Sequence, residues 1–171
     1  MKEEFNLRKI NNIGEIFPVI DTISKDWYLI TANYSGVVNT MTASWGQIGY
    51  LWNKPIFTIY VRPQRYTYHL LESSNYFSVS FFEGQKENLS YLGRASGRTE
   101  DKIAKTGFHL IDLGGVPAFS EAKITLVLKK IYVEPLKKEC FVDQEIPQNS
   151  YPSDDFSVVF IGEIIGVYQE T

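Results

Sequence analysis

Trp27-Tyr28-Leu29-Ile30-Thr31-Ala32-Asn33-Tyr34-Ser35-Gly36-Val37-Val38-Asn39-Thr40-Met41-Thr42-Ala43-Ser44-Trp45 is the stretch on which the reading of the fold turns. Trp27–Asn33 is rich in aromatic and branched residues, which suit a pleated, half-buried backbone. Tyr34-Ser35-Gly36 is a turn cluster, and Val37–Trp45 is a second run of the same kind, so the pair predicts an antiparallel hairpin.

Strand signals continue downstream. Asn53-Lys54-Pro55 breaks the chain, and Ile56–Val61 is a continuous apolar run, as expected of a strand buried on both faces. Tyr76–Phe82 alternates, with Phe77, Val79 and Phe81 on one face. Ile124, Leu126 and Leu128 alternate in the next long run, and Phe156–Tyr168 is the last, with Gly162 and Gly166 as bulge or bend positions. Helices are few. Pro63–Ser73 predicts one, with Pro63 at its first position. Lys86–Leu92 predicts a second, stopped by Gly93, and a third starts at a Thr99 cap and ends at Gly107. Six or seven strands with three short helices make a mainly β chain. The architecture expected is an antiparallel β-barrel with helices at its ends, because closure removes exposed apolar edges; an open α+β sheet is the alternative.

The 171 residues are the length of one domain, and no repeat or low-complexity linker divides them, so residues 1–171 are read as a single domain. Aromatics make up 15%, an excess that favours strands, a planar ligand or an aromatic subunit contact. A net charge of −3 supplies no basic field for phosphate neutralisation, which argues against nucleic acid as the main partner. No apolar run reaches the roughly 18–20 residues of a membrane span. Met1–Arg8 is charged with no apolar segment behind it, so no secretory signal is visible; with the single Cys140 this points to the cytoplasm. One cysteine excludes an internal disulfide, and His69 and His109 have no third ligand at metal spacing, so no metal site is expected.

Three segments carry chemistry. On the second strand, alternation puts Thr40, Thr42 and Ser44 on one face and Met41, Ala43 and Trp45 on the other. A row of small hydroxyls leaves room for a flat ligand and offers hydrogen bonds to its edge, although threonine is also a good strand former on a wet face. Arg62-Pro63-Gln64-Arg65-Tyr66-Thr67-Tyr68 sits where a buried strand ends and a helix begins. Unpaired N–H groups at a helix start favour an anion, and two arginines there repel the dipole slightly unless an anion lies between them. Gly93-Arg94-Ala95-Ser96-Gly97-Arg98 is a small-residue loop leading to the helix that holds Lys102. Its glycines permit close backbone approach to a ligand, and taken alone it reads as a solvated connection. No nucleophile elbow or triad is marked, so no catalytic side chain is assigned.

Taken in order, Asn39–Gly46, Val61–Tyr68, Ser78-Val79-Ser80-Phe81-Phe82, Gly93–Arg98 with Asp101-Lys102, and Phe160-Ile161-Gly162-Glu163-Ile164 resemble the flavin reductase-like proteins of the FMN-binding split-barrel superfamily, especially its flavoredoxin-type branch. The likeness runs from about Trp27 to Tyr168 and lies in order and spacing rather than in one motif. It implies a Greek-key-like, antiparallel split β-barrel that forms a homodimer and holds FMN non-covalently near the subunit contact. By position it assigns Asn39, Thr40, Met41, Thr42, Ala43, Ser44 and Trp45 to the isoalloxazine ring, and Arg62, Arg65, Tyr66 and Thr67 to the phosphate. Ser96, Gly97 and Lys102 would approach from the loop. Two departures stand out. Ser80 occupies a position where many relatives have Asn, and the sequence ends at Thr171 where flavoredoxin-type relatives continue, which implies a more open site or one filled by the partner subunit.

The expected function is an FMN-dependent oxidoreductase that passes electrons from NADH, NADPH or a redox protein to an acceptor, with the flavin supplying the redox chemistry. An electron carrier or FMN-binding module without independent turnover is the alternative. A β-barrel that binds another small molecule without redox chemistry is the third reading.

Overall fold

The computed structural model describes residues 17–170; the charged stretch Met1–Arg8 and the terminal Thr171 lie outside them. The quoted hairpin forms. Strand β1 (Tyr28–Tyr34) pairs antiparallel with β2 (Val37–Ala43), from Tyr28 opposite Ala43 to Tyr34 opposite Val37. Ser35 and Gly36 make the turn with φ of 51° and 80°, both left-handed, as the tight hairpin that matches strand twist requires. A second hairpin of the same kind joins β3 (Gly46–Leu51) to β4 (Lys54–Val61) through Trp52 and Asn53, at φ 52° and 58°. Strand β3 was not expected, and Asn53-Lys54-Pro55, expected as a simple break, instead turns the chain into β4.

Strands β5 (Tyr76–Phe81), β8 (Ile124–Pro135) and β9 (Val158–Gln169) complete a seven-stranded antiparallel sheet in the order β2-β1-β5-β8-β9-β4-β3. A separate two-stranded ribbon pairs β6 (Leu110–Asp112) with β7 (Pro117–Phe119), so the described residues hold nine strands rather than six or seven. The outermost strands, β2 and β3, are separated in the chain only by Ser44 and Trp45, so the sheet has curled almost into a barrel. The β8–β9 ladder is irregular at Val127/Leu128 and at Lys130/Tyr132, where the partners are Gly166/Ile164 and Gly162/Ile161. Gly162 also permits close packing: a Cβ there would lie 2.9 Å from Leu128 Cβ and 2.9 Å from Phe77 Cζ.

Among the described residues five α-helices decorate the sheet: α1 (Pro18–Asp21, continuing as a π-helical turn over Thr22–Asp26), α2 (Tyr66–Ser73), α3 (Lys86–Arg94), α4 (Lys102–Thr106) and α5 (Glu145–Ser150). Three boundaries differ from expectation. Pro63 lies in a turn closed by Arg65 N–H on the Arg62 carbonyl at 3.0 Å, and α2 starts three residues later. Gly93 lies inside the last turn of α3 instead of ending it. The cap of α4 is Asp101, whose carboxylate accepts from Ala104 N–H at 3.1 Å, not Thr99; Gly107 ends that helix at φ 74° as expected.

Two cores result. The larger lies inside the curled sheet and under α2, around Tyr28, Ile30, Phe57, Ile59, Phe77, Val79, Leu128 and Phe160. The smaller lies between β1 and helices α3 and α4, where Phe82 stacks on Phe108 at 5.0 Å beside Leu29, Leu89, Leu92 and Phe119. Both faces of β1 and β5 are therefore buried, which fixes their register strongly. No helix among the described residues is long and apolar enough to cross a membrane.

Candidate functional site

The end of β4, the start of α2 and the α3–α4 loop converge on β2 and enclose a cavity of about 570 Å³. That volume falls within the roughly 300–1,000 Å³ usual for small-molecule sites. Among the described residues, strand β2 has β1 on one side and is terminal in the sheet on the other. In antiparallel pairing alternate residues turn their N–H and C=O away from the partner, and the two-residue turn places Val38, Thr40 and Thr42 in that outward set.

Asn39, Met41, Thr42, Ala43, Ser44 and Trp45 line the cavity. Thr40 does not: its hydroxyl lies 2.9 Å from that of Thr31 and donates to the Ile30 carbonyl at 3.0 Å, in full burial. The hydroxyl row read from alternation is thus split up. Thr40 packs inward, Thr42 donates to the Leu89 carbonyl of α3, and only Ser44 keeps a hydroxyl without a side-chain hydrogen bond among the described residues. The cavity meets a strand edge rather than a strand face.

At the other end lies the start of α2. Tyr66 and Thr67 carry N–H groups with no partner inside the helix, next to Arg65 at its cap. Arg65 is exposed and spends one N–H on the Gly93 carbonyl at 3.0 Å. Arg98 reaches across from the loop, with Nη1 on the Gln64 carbonyl at 3.3 Å and its guanidinium 5.0 Å from the Tyr66 ring centroid. Arg62 lines the cavity too, but its fork is committed elsewhere. It pairs with Asp155, donates to the Ser150 carbonyl at 2.7 Å and lies 5.1 Å over the Tyr151 ring. Hydrogen bonds from Gln64 and then Arg62 hold the Asp155 carboxyl below the usual carboxylate range. Among the described residues Arg65, Arg94 and Arg98 line the cavity with no carboxylate partner, whereas Arg62 pins the β8–β9 connection.

The loop side is built on close approach. A Cβ on Gly97 would lie 2.1 Å from Asn39 Oδ1 and 3.2 Å from Tyr66 Cδ1, so only glycine lets the loop touch β2 and α2 together. Asn39 is fixed in turn by donating to Thr67 Oγ1 at 2.8 Å. Ser96 Oγ accepts from Arg98 N–H at 3.3 Å and shapes the turn. Lys102 is buried, and its ammonium donates to the Leu92 and Ala95 carbonyls at 2.8 and 3.0 Å, closing the C-terminal end of α3. Burial and the neighbouring Arg65 charge lower its pKa to about 8.

Apart from Thr40, every residue expected at the site lines this one cavity: Asn39, Met41–Trp45, Arg62, Arg65, Tyr66, Thr67, Ser96, Gly97 and Lys102. Tyr60, Gln64, Leu92–Ala95, Arg98 and Ser157 line it as well. Arg98 and Gly93–Ala95 carried a signal in their glycine- and arginine-rich loop. Tyr60 and Ser157 carried none, since only the β4–β9 pairing brings Ser157 beside β4. His109 lies away from the cavity, its Nδ1 2.6 Å from a Glu121 oxygen, and Cys140 is exposed on the β8–β9 connection.

The chemistry of this lining suits a flat molecule with an anionic tail: an unpaired strand edge with Met41, Ala43 and Trp45 at one end, and two arginines on a helix start at the other. Residues 20–171 match the model of the flavin reductase-like domain. An uncharacterised protein of Aeropyrum pernix is 27% identical over 146 residues, which cover 82% of this chain and 52% of that protein. The chain thus spans about half the length of that curated relative. The crystal structure of an FMN-binding protein from Thermus thermophilus with bound p-hydroxybenzaldehyde superposes with a TM-score of 0.65 at 23% identity, over 99% of this chain and 82% of that one. Flavoredoxin from Methanosarcina acetivorans superposes with a TM-score of 0.66 at 25% identity, over 97% and 76%. The fold is the split barrel of FMN-binding, flavin reductase-like proteins, and the chain belongs to the flavin reductase-like family.

Proposed function

We propose that this member of the flavin reductase-like family holds FMN non-covalently along β2 and works as an oxidoreductase. Its electrons would come from NADH, NADPH or a redox-protein donor and leave to an acceptor. One observation carries the reading: a single cavity joins an unpaired strand edge to a helix start flanked by Arg65 and Arg98. Bound FMN would supply the ring that takes up and returns electrons. The residues Met41–Trp45 would hold that ring, with the outward N–H groups of β2 as donors toward charge on its carbonyl edge. The N–H groups of Tyr66 and Thr67, with Arg65 and Arg98, would hold the phosphate. Lys102 would add a positive charge behind them, its ammonium closing the end of α3 on the Leu92 and Ala95 carbonyls.

The test is an absorption spectrum of purified protein, before and after adding FMN and then a nicotinamide donor. A flavin spectrum that bleaches on NADH or NADPH supports the reductase. A protein that stays colourless after incubation with FMN overturns the reading. The flavoredoxin likeness favours a second reading, an electron carrier. It would show the flavin spectrum, fail to bleach with nicotinamide and be reduced by a ferredoxin-type donor. A homodimer is part of the proposal: Ile48, Tyr50 and Trp52 of the β3–β4 hairpin and Tyr132 of β8 are exposed, with Trp52 and Tyr132 at 6.0 Å, and suit a two-fold contact.

A further inference from the structure

A second chamber, of about 310 Å³, opens beside the end of β2 and is not lined by Arg65 or Arg98. It shares Thr42, Ala43, Ser44, Gly93 and Arg94 with the main cavity and is otherwise bounded by Trp27, Leu89 and Ser90. Where the two meet, α3 rests directly on β2: a Cβ on Gly93 would meet the Thr42 Cβ at 3.1 Å. The proposed function uses neither Trp27 nor Ser90.

The chamber has one flat apolar wall and one charge. Trp27 holds φ 68° and ψ 175°, a backbone conformation that bulky residues rarely adopt and that persists only where the surroundings enforce it. Its ring is fixed from one side by the Lys86 ammonium, 3.3 Å from the centroid. Arg94, in the last turn of α3, donates Nε–H to the Ser90 carbonyl at 3.3 Å. Among the described residues it has no carboxylate partner, so the rest of its fork is open. The hydroxyls of Ser44 and Ser90 make no side-chain hydrogen bond among the described residues, and no acidic side chain lines the chamber. The volume lies at the lower end of small-molecule sites, sized for one ring and too small for a dinucleotide.

We propose that the Trp27–Arg94 chamber binds a monocyclic arene carboxylate, its ring against the indole and its carboxylate on Arg94 and the serine hydroxyls. In its purpose the proposal rests on the flavin reading, since it sets such a molecule against the end of the strand assigned to the ring and so names a substrate class. Its distinct elements are the Trp27 ring and Ser90, which line the chamber and not the main cavity.

The experiment is a calorimetric titration of the full chain, flavin-free and FMN-loaded, with benzoate and with uncharged benzamide of the same shape. Saturable benzoate binding is expected in both forms, with benzamide weaker by at least about tenfold, the scale of one charged hydrogen bond. Arg94→Gln is expected to weaken benzoate by a similar factor. Ser90→Leu fills the chamber and is expected to abolish benzoate binding while FMN binding is retained; should it not fold, Arg94→Gln decides. Equal affinity for benzoate and benzamide, or no saturable benzoate binding up to about 10 mM, overturns the proposal, as does indifference to either substitution. The two readings fail separately: loss of FMN binding with benzoate binding intact removes the flavin reading alone, and the reverse removes this chamber alone.

Discussion

Gly97→Ala is the most informative single change. Gly97 has an ordinary φ, so alanine fits the backbone and restricts the unfolded chain, a gain of about 0.4–1 kcal/mol. Against this stands the added methyl, 2.1 Å from Asn39 Oδ1. Asn39 is buried and donates to Thr67 Oγ1, so its amide cannot turn away without losing that bond, worth about 0.5–1.5 kcal/mol. If instead the loop lifts, the overpacking costs about 1–3 kcal/mol. The methyl wins, and the expected net loss is roughly 1–2 kcal/mol, or about 2–8 °C of melting temperature in a chain of this size. Lifting the loop also withdraws Arg98 from Tyr66 and Gln64, so FMN affinity is expected to fall by about tenfold, the scale of one charged hydrogen bond. Thermal unfolding and FMN fluorescence titration read the two effects. Asn39→Ala removes the obstacle, so the double variant is expected to be at least about 1 kcal/mol more stable than the summed single effects predict. An unchanged melting temperature in Gly97→Ala, or strict additivity in the double variant, refutes the packing argument.

Arg65→Ala is expected to weaken FMN binding by about 1.5–3 kcal/mol, read by fluorescence titration. Arg62→Ala is expected to lower the melting temperature by leaving Asp155 with Gln64 as its side-chain donor and the Ser150 carbonyl without Arg62, and to weaken FMN less than Arg65→Ala does; the opposite ranking reverses the assignment. Lys102 binds its proton less tightly in the folded state than in the unfolded one, so its contribution to stability rises with pH between about 8 and the ordinary lysine value of 10.5. Lys130, also lowered by burial, slopes the same way, so denaturant unfolding at a series of pH values should show a shallower rise in Lys102→Met than in wild type; identical slopes count against the buried charge. Light scattering at micromolar concentration is expected to give twice the 19.6 kDa chain mass, and a monomer refutes the two-fold contact.

The strands of the barrel were legible because both faces of β1, β4 and β5 are buried and leave dense apolar runs. Strand β3 was not. Gly46 and Gly49 interrupt its pattern, and all but its first residue are exposed, so no alternation marks it. The Gly93 stop misled because that glycine serves a contact with Thr42, 51 positions upstream, rather than a helix end. The site was legible in outline, since its three segments are local. Its inner wiring was not. Alternation says which side chains share a face of β2, but not that both faces would be covered and only the edge left open. Likewise Arg62 and Arg65 look equivalent in sequence, and only Asp155, 93 residues after Arg62, tells them apart.

The terminal position of β2 bears on the life of the protein before it acts. A strand with a row of unanswered backbone groups is a template for a neighbouring chain, and sequences usually blunt such a border with lysine, proline or a bulge. Val37–Ala43 has none of these. A molecule lodged there would act as a chaperone of its own host, so cells short of that molecule should accumulate the chain in inclusion bodies, and supplementing the growth medium should raise the soluble yield.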